Sequence, residues 1–429
     1  MLARALTPRK ALDTRLIRRR VAGGTAPPTV VVPGILGSEL LRPDGSRAWL
    51  NMGNVFGYHD LALPLKVPLS ESRDHLVPQG LLGTYAVLPR LFGFTEYADL
   101  TDLLLEGGVR HHVLAYDWRR DLVESARRLD DMLETLAEAE DNPDVRFNVV
   151  GHSMGGLIAR YYLRFGRAEP DENAPVTWAG ARRIRTLILV ATPNAGGIPA
   201  LDAILHGNRV GLSYTTLAAT VIATMPSIYQ LLPPEGAGGL LDHRCEPLAV
   251  DLHDAATWER FGWGPFAAPR SRRGTAGFEI GSEEHRAFLC AVLQRARAVH
   301  RALGRPALTP CPARVVLLGG DCLPTTARAI VPERHGSLPR FDPWTRAEAE
   351  AMLEAGDGRV TRASVLASHL PGADDSDAGC GLPEVGHAFF GNADHHGVYG
   401  EPTFQSIVLR LLLRAATPSA SVAAPAPPE

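Results

Sequence analysis

The chain runs to 429 residues with a formal net charge of -3 and 21% charged residues, which excludes a basic surface that binds phosphate backbones regardless of sequence, so nucleic acid is not an expected partner. Lys10 and Lys66 are its only lysines; positive charge is carried almost wholly by arginine, which with the high alanine content reads as compositional bias rather than function. Five cysteines (Cys245, Cys290, Cys311, Cys322 and Cys380) form no C-x-x-C pair, which argues against a zinc ribbon and a disulfide framework and leaves buried free thiols as the expectation.

In chain order, residues 1–25 form a basic arm without an apolar core of signal-peptide length. Nowhere do about 18 apolar residues run together, so no transmembrane segment is expected and the protein is read as soluble and cytoplasmic. "PTVVVPG" is a strand ending at a Pro-Gly turn, and 38–92 is a long, weakly periodic stretch rich in Gly, Pro and Leu. "YADLTDLLLEGG" is an amphipathic helix stopped by Gly107, "VRHHVLAY" a second strand, and "DLVESARRLDDMLETLAEAE" a longer helix. "VRFNVV" is a third strand followed by the helix "MGGLIARYYLRFG", and "IRTLILVATP" and "ARVVLLGG" are two further strands. Residues 198–306 separate those two and contain "IYQLLPP" and the helix "SEEHRAFLCAVLQRARAVHRAL"; 417–429 is a Pro/Ala/Ser tail unable to order itself.

Continuous Val/Ile/Leu strands alternating with helices imply an α/β fold with a doubly wound, mostly parallel sheet covered on both faces. One domain over 26–416 accommodates it. The stretches 38–92 and 198–306 then follow carboxyl ends of strands, where ligands bind in such folds, and are read as lid and cap insertions.

The third strand meets its helix in "VVGHSMGG", where Gly151-His152-Ser153-Met154-Gly155 fits G-x-S-x-G. A serine on a strand-to-helix turn takes a strained backbone, and a Cβ two residues to either side would clash with the neighbouring helix and strand. The turn lifts the hydroxyl clear of the sheet at the positive end of a helix. Ser153 is therefore the candidate nucleophile.

A serine hydroxyl needs a histidine to take its proton and a carboxylate to hold that histidine's tautomer, following in the order serine, acid, histidine. Asp321 in "LLGGDCLP" and Asp357 in "EAGDGRVTRASVLAS" compete as acid. Asp321 directly follows a strand; Asp357 lies between glycines that let a loop expose it. For the base, "GHAFFGNADHHGVYGEPTFQ" offers His387, His395 and His396. The base belongs on the loop before the last helix, which favours His395, with His396 a close rival and His387 a strand residue. The oxyanion formed on attack needs two backbone N–H donors. Met154, opening the helix, supplies one, and Ile35, in a loop that Gly34 and Gly37 allow to bend inward, supplies the other.

"VVVPGILGSEL", "WLN", "AYDWRRD", "GHSMGG", "ATPNAGG", "MPSIYQLLP" and "GDGRVTRASV" occur in this order between about residues 29 and 412. Together they resemble the lecithin:cholesterol acyltransferase family, which includes lysosomal phospholipase A2. The resemblance implies an α/β-hydrolase fold in which a serine takes an acyl group from a lipid ester and passes it to water or an alcohol. It also implies Ser153 as nucleophile, Asp357 rather than Asp321 as acid, His395 as base, and Ile35 and Met154 as the oxyanion hole. Unlike the family's animal enzymes, this chain has no cysteine between 38 and 100. "AYDWRRD" is read as a structural corner in which Arg119 or Arg120 pairs with nearby acids.

"NADHH" with His387 upstream lacks the second cluster of a binuclear hydrolase, and H-E-x-x-H is absent, so no metal is expected. The chemistry needs no cofactor. The expected function is a serine esterase acting on a hydrophobic ester or acyl substrate. The alternatives are an acyltransferase or ring-closing enzyme that excludes water, and a catalytically inert binding module.

Overall fold

The computed structural model of the chain describes residues 26–49, 61–81, 96–171, 173–209, 216–267, 279–368 and 380–414. The arm expected at 1–25, the tail at 417–429 and the parts 50–60 and 82–92 of the first inserted stretch lie outside the described residues.

Six strands build the central sheet: β1 (Thr29–Val32), β2 (His111–Val113), β3 (Phe147–His152), β4 (Ile184–Val190), β5 (Arg314–Gly320) and β6 (Val385–Gly391). Their order is β6-β5-β4-β3-β1-β2 and every neighbouring pair is parallel. Parallel strands require crossovers, and the helices that cross over cover both faces.

The pleat decides which helix each side chain meets. In β1, β3 and β4, Val30, Val32, Val149, Leu187 and Leu189 join the core beneath α2 (Leu122–Ala139) and α3 (Met154–Phe165). Their neighbours Val31, Val150, Ile188 and Val190 join a second core beneath α1 (Glu96–Glu106) and α6 (Pro402–Leu413). Burial on both faces is why these strands read as unbroken apolar runs rather than alternating ones.

The edge behaves differently. The strand expected over "VRHHVLAY" narrows to His111–Val113, which is half-buried and, among the described residues, pairs only with β1. Leu114 N–H still reaches the Val31 carbonyl at 2.9 Å, after which the chain leaves the sheet as a corner.

The described parts of the two inserted stretches are tied to each other and, through the second, to the body. Residues 38–41 pair antiparallel with 77–81, and Leu63 N–H donates to Thr224 Oγ1 at 2.9 Å, joining the first stretch to the second. The helix α4 (Glu283–Gly304) lies in the helical layer: Arg160 of α3 donates to the Leu303 carbonyl at 2.8 Å. Arg160 and Arg164, both buried, share the buried carboxylate of Glu384 at 2.7 and 3.0 Å. Burial alone would raise that carboxyl's pKa; the two guanidinium charges outweigh it and hold it below its ordinary value. The five cysteines are unpaired, but none is fully buried: Cys290, on the solvent side of α4, and Cys322 are exposed, unlike the buried thiols expected. No helix among the described residues is long and apolar enough to cross a membrane.

Candidate active site

The carboxyl ends of β1, β3, β4, β5 and β6 open onto one side of the sheet, and the residues singled out in the sequence lie on the loops that follow them. Ser153 stands alone between the end of β3 and the start of α3, with φ 51° and ψ -124°. A non-glycine residue at positive φ stores strain that its surroundings must hold. Here Ser153 N–H is bonded to the Val190 carbonyl at 2.8 Å, and the flanking glycines permit the close crossing. A Cβ on Gly155 would lie 2.2 Å from the Val32 carbonyl oxygen, and one on Gly151 2.7 Å from Gly156 Cα.

His395, on the loop between β6 and α6, places Nε2 3.1 Å from Ser153 Oγ. Its Nδ1 lies 2.8 Å from Asp357 Oδ2, and its backbone N–H donates to the Asp357 carbonyl at 2.9 Å. Asp357 is aimed by its own loop: Oδ1 accepts the N–H groups of Arg359 and Val360 at 2.9 and 2.7 Å, leaving Oδ2 for the imidazole. Gly356 is pressed against the Val360 carbonyl, and Gly358, at φ 87°, donates to Thr325 Oγ1 at 2.8 Å. Burial pushes the Asp357 pKa up, but the charge and hydrogen bond of His395, with the two backbone donors, prevail and hold it below the ordinary value. The carboxylate is therefore ionised at neutral pH.

The rivals lie elsewhere. Asp321 is paired with Arg362 at 3.6 Å and does not meet the imidazole. His387 is exposed on β6, and His396 turns outward with its ring centroid 5.3 Å from that of His395.

Ile35 and Met154 flank the serine. Met154 opens α3, where an N–H has no carbonyl four residues back within the helix. Ile35 sits in a turn closed by Gly37 N–H to the Gly34 carbonyl at 3.1 Å. That turn is packed against Ser153, since a Cβ on Gly34 would be 3.0 Å from Ser153 Cβ.

The "YDWR" corner braces this turn. Tyr116 Oη donates to the Pro33 carbonyl at 2.7 Å and Trp118 Nε1 to the Ser38 carbonyl at 3.1 Å, gripping both ends. Arg119, fully buried, forms a two-pronged pair with Asp74 at 2.6 and 2.8 Å and a further pair with Asp117. "TPNAGG" plays the same part for the Asp357 loop. Asn194 Nδ2 donates to the Val365 carbonyl at 2.7 Å, and Ser364 Oγ to the Gly196 carbonyl at 2.5 Å, which locks the short helix α5 (Arg362–Leu366) behind Asp357.

Two residues of the site had no role in the sequence reading. Tyr97, near the start of α1, and His152, beside the serine, are buried and hydrogen-bonded to each other. His152 was visible only as a variable position of the serine motif, and Tyr97 only as part of an amphipathic helix.

Residues 78–260 match the family model described as lecithin:cholesterol acyltransferase, so the resemblance read from the motifs holds over that span. The span contains Ser153 and Met154 and ends before Asp357 and His395. No curated protein matches the sequence. Among solved structures, the chain is similar to one in the crystal structure of the Tle4-Tli4 complex, at 15% identity and a TM-score of 0.50, covering 91% of this chain and 99% of that one. Also similar, at 12% identity and a TM-score of 0.38, is the mature lipase BlEst2 of Bacillus licheniformis, with 95% and 96% of the two chains covered. The sheet order and its covering helices are those of an α/β-hydrolase fold.

Proposed function

We propose that the protein is a serine esterase that cleaves hydrophobic carboxylic esters through an acyl-enzyme on Ser153. The observation that carries this reading is the unbroken path from Ser153 Oγ to His395 Nε2, 3.1 Å, and from His395 Nδ1 to Asp357 Oδ2, 2.8 Å. Ser153 Oγ attacks the ester carbonyl carbon while His395 Nε2 takes its proton; Asp357 accepts from Nδ1–H and stabilises the imidazolium. The negative oxygen of the tetrahedral intermediate is received by the N–H groups of Ile35 and Met154. The intermediate collapses as the imidazolium returns its proton to the leaving alkoxide. A water or alcohol, deprotonated by the same nitrogen, then releases the acyl group.

The matched family's name supports a lipid-like acyl donor. It also supports a second reading, in which an acceptor alcohol replaces water, as does the low exposure of Ser153 and His395, 8% and 6%. Both readings use the same residues. An inert module is disfavoured, because strain at Ser153 and a buried ionised carboxylate are costs that binding alone does not require.

Hydrolysis of short- and long-chain p-nitrophenyl esters tests the reading. Turnover that falls by about 10³-fold or more in Ser153→Ala supports it, and turnover unchanged in that variant contradicts it. Product analysis with and without a long-chain alcohol then separates free acid from transferred ester.

A further inference from the structure

Beside the serine, histidine and aspartate runs a second buried hydrogen-bond path that the proposed chemistry does not use. Gly34 N–H donates to Tyr97 Oη at 2.7 Å, Tyr97 Oη lies 2.9 Å from His152 Nδ1, and His152 Nε2 lies 3.2 Å from the carbonyl oxygen of His395. The direction of every hydrogen follows from its two ends. A carbonyl oxygen only accepts, so His152 Nε2 carries a hydrogen. In a neutral ring Nδ1 then holds a lone pair, and the Tyr97 hydroxyl must donate to it. The Tyr97 oxygen is left to accept from Gly34, whose N–H can only donate. The result is a path with a fixed polarity, Gly34 to Tyr97 to His152 to His395.

Its two ends matter most. Gly34 immediately precedes Ile35, the proposed oxyanion donor, and His395 is the proposed base. Tyr97 and His152 are 4% and 1% exposed, and burying a hydroxyl and an imidazole is costly unless each is satisfied. Phenylalanine and an apolar residue would fill the same space without that cost. Both rings also pack on the parts they bridge: a Cβ on Gly37 would lie 3.1 Å from Tyr97 Cε2, and the His152 and His395 ring centroids are 5.0 Å apart.

Resting on the esterase reading above, we propose that Tyr97 and His152 are positioning residues that hold the oxyanion turn and the catalytic base in one register. The pair keeps its pattern throughout turnover. Burial, then the neighbouring His395 and His396, push the His152 pKa well below its ordinary value, so the ring stays neutral when His395 takes the serine proton. Without the Tyr97 hydroxyl, the Gly34 end and the His395 end relax independently, and small displacements of aligned groups are costly in rate.

Tyr97→Phe, His152→Gln and the double variant test this on purified protein with a p-nitrophenyl ester. Tyr97→Phe is expected to lower kcat about ten- to a hundredfold with KM within about twofold, since ground-state binding is untouched. The double variant is expected to lose no more than the worse single one, because the pair acts as a unit. A kcat for Tyr97→Phe within about twofold of wild type, with only a lowered Tm, overturns the proposal. So do losses that multiply in the double variant.

Selective ¹⁵N-histidine NMR supplies a readout that requires neither turnover nor the folding of His152→Gln. The wild-type signal that shifts in Tyr97→Phe is expected to be a neutral Nε2–H tautomer from pH 5 to 8. An Nδ1–H tautomer at that position overturns the proposal. Ester turnover that survives Ser153→Ala instead removes the esterase reading, and the positioning role with it, whereas a Ser153-dependent enzyme indifferent to Tyr97→Phe loses the positioning role alone.

Discussion

At Asp357 the two carboxylate oxygens have divided duties: Oδ1 is held by two backbone N–H groups and Oδ2 faces the imidazole. Asp357→Asn should therefore fold, with its amide oxygen on the backbone donors and its NH₂ toward His395. An NH₂ group cannot accept from Nδ1–H, so the ring is driven to the tautomer that has no lone pair for the serine proton. Ester turnover should fall by about 10⁴-fold. Asp321→Asn, which disturbs the half-buried ion pair with Arg362, should leave it within about twofold. If the two variants are equally active, Asp357 is not the acid. The strained turn at Ser153 was legible from its own neighbourhood, because glycines around such a turn leave a local signature. Which carboxylate meets His395 was not: Asp321 and Asp357 both follow strands and both sit in glycine-rich loops, and the motif resemblance separated them. His395 and His396 are adjacent, and which one turns inward depends on the His395 N–H to Asp357 carbonyl bond, a contact across 38 residues.

At the scale of elements, the sheet was legible where strands are buried on both faces and illegible where they are not. Residues 323–326 and 353–356 pair as a short antiparallel ribbon, yet "LPTT" and "LEAG" carry no strand pattern; the ribbon leads into Asp357, and its Thr325 accepts from Gly358 N–H in that loop. The corner at Arg119 was legible as a structural feature, but its partner Asp74 lies 45 residues away in sequence. Arg119→Met strips the guanidinium from Asp74 and Asp117, leaving two carboxylates without their counter-charge, and should cost about 3–5 kcal/mol in urea unfolding. A change below about 1 kcal/mol would show that the corner does not anchor the first inserted stretch. Helix α4 brings a pH dependence of its own. His300 on this helix and His253 beside it are buried with ring centroids 5.3 Å apart. Burial, then Arg297, lowers His253 from 6.5 to about 4, and burial, then His253, lowers His300 from 6.5 to about 3. The unfolded chain thus binds more protons than the folded one below the ordinary histidine value. Stability should fall as pH drops from 6.5 toward 4, on the order of 1 kcal/mol per pH unit for each ring. Urea unfolding at pH 7 and pH 5 measures this; His253→Gln/His300→Gln should flatten the dependence. An unchanged slope in that variant would assign the acid sensitivity to other groups.

Across the whole molecule, the serine and histidine are 242 residues apart and meet because parallel strands deliver both loops to the same side of one sheet. No local pattern encodes that meeting; it was expected only from the order of serine, acid and histidine on a doubly wound fold. The braces, Tyr116 and Trp118 on the turn at Gly34–Gly37 and Asn194 and Ser364 behind Asp357, explain why motifs far from Ser153 accompany it. The proposed chemistry rests on Ser153 being an activated nucleophile served by His395. Its most direct test is intact-protein and peptide mass spectrometry after exposure to an alkyl fluorophosphonate. A single phosphonyl adduct on the Ser153 peptide, absent in Ser153→Ala and strongly slowed in His395→Ala, is the predicted result; a wild-type protein that takes no adduct, or takes it on another residue, contradicts the account.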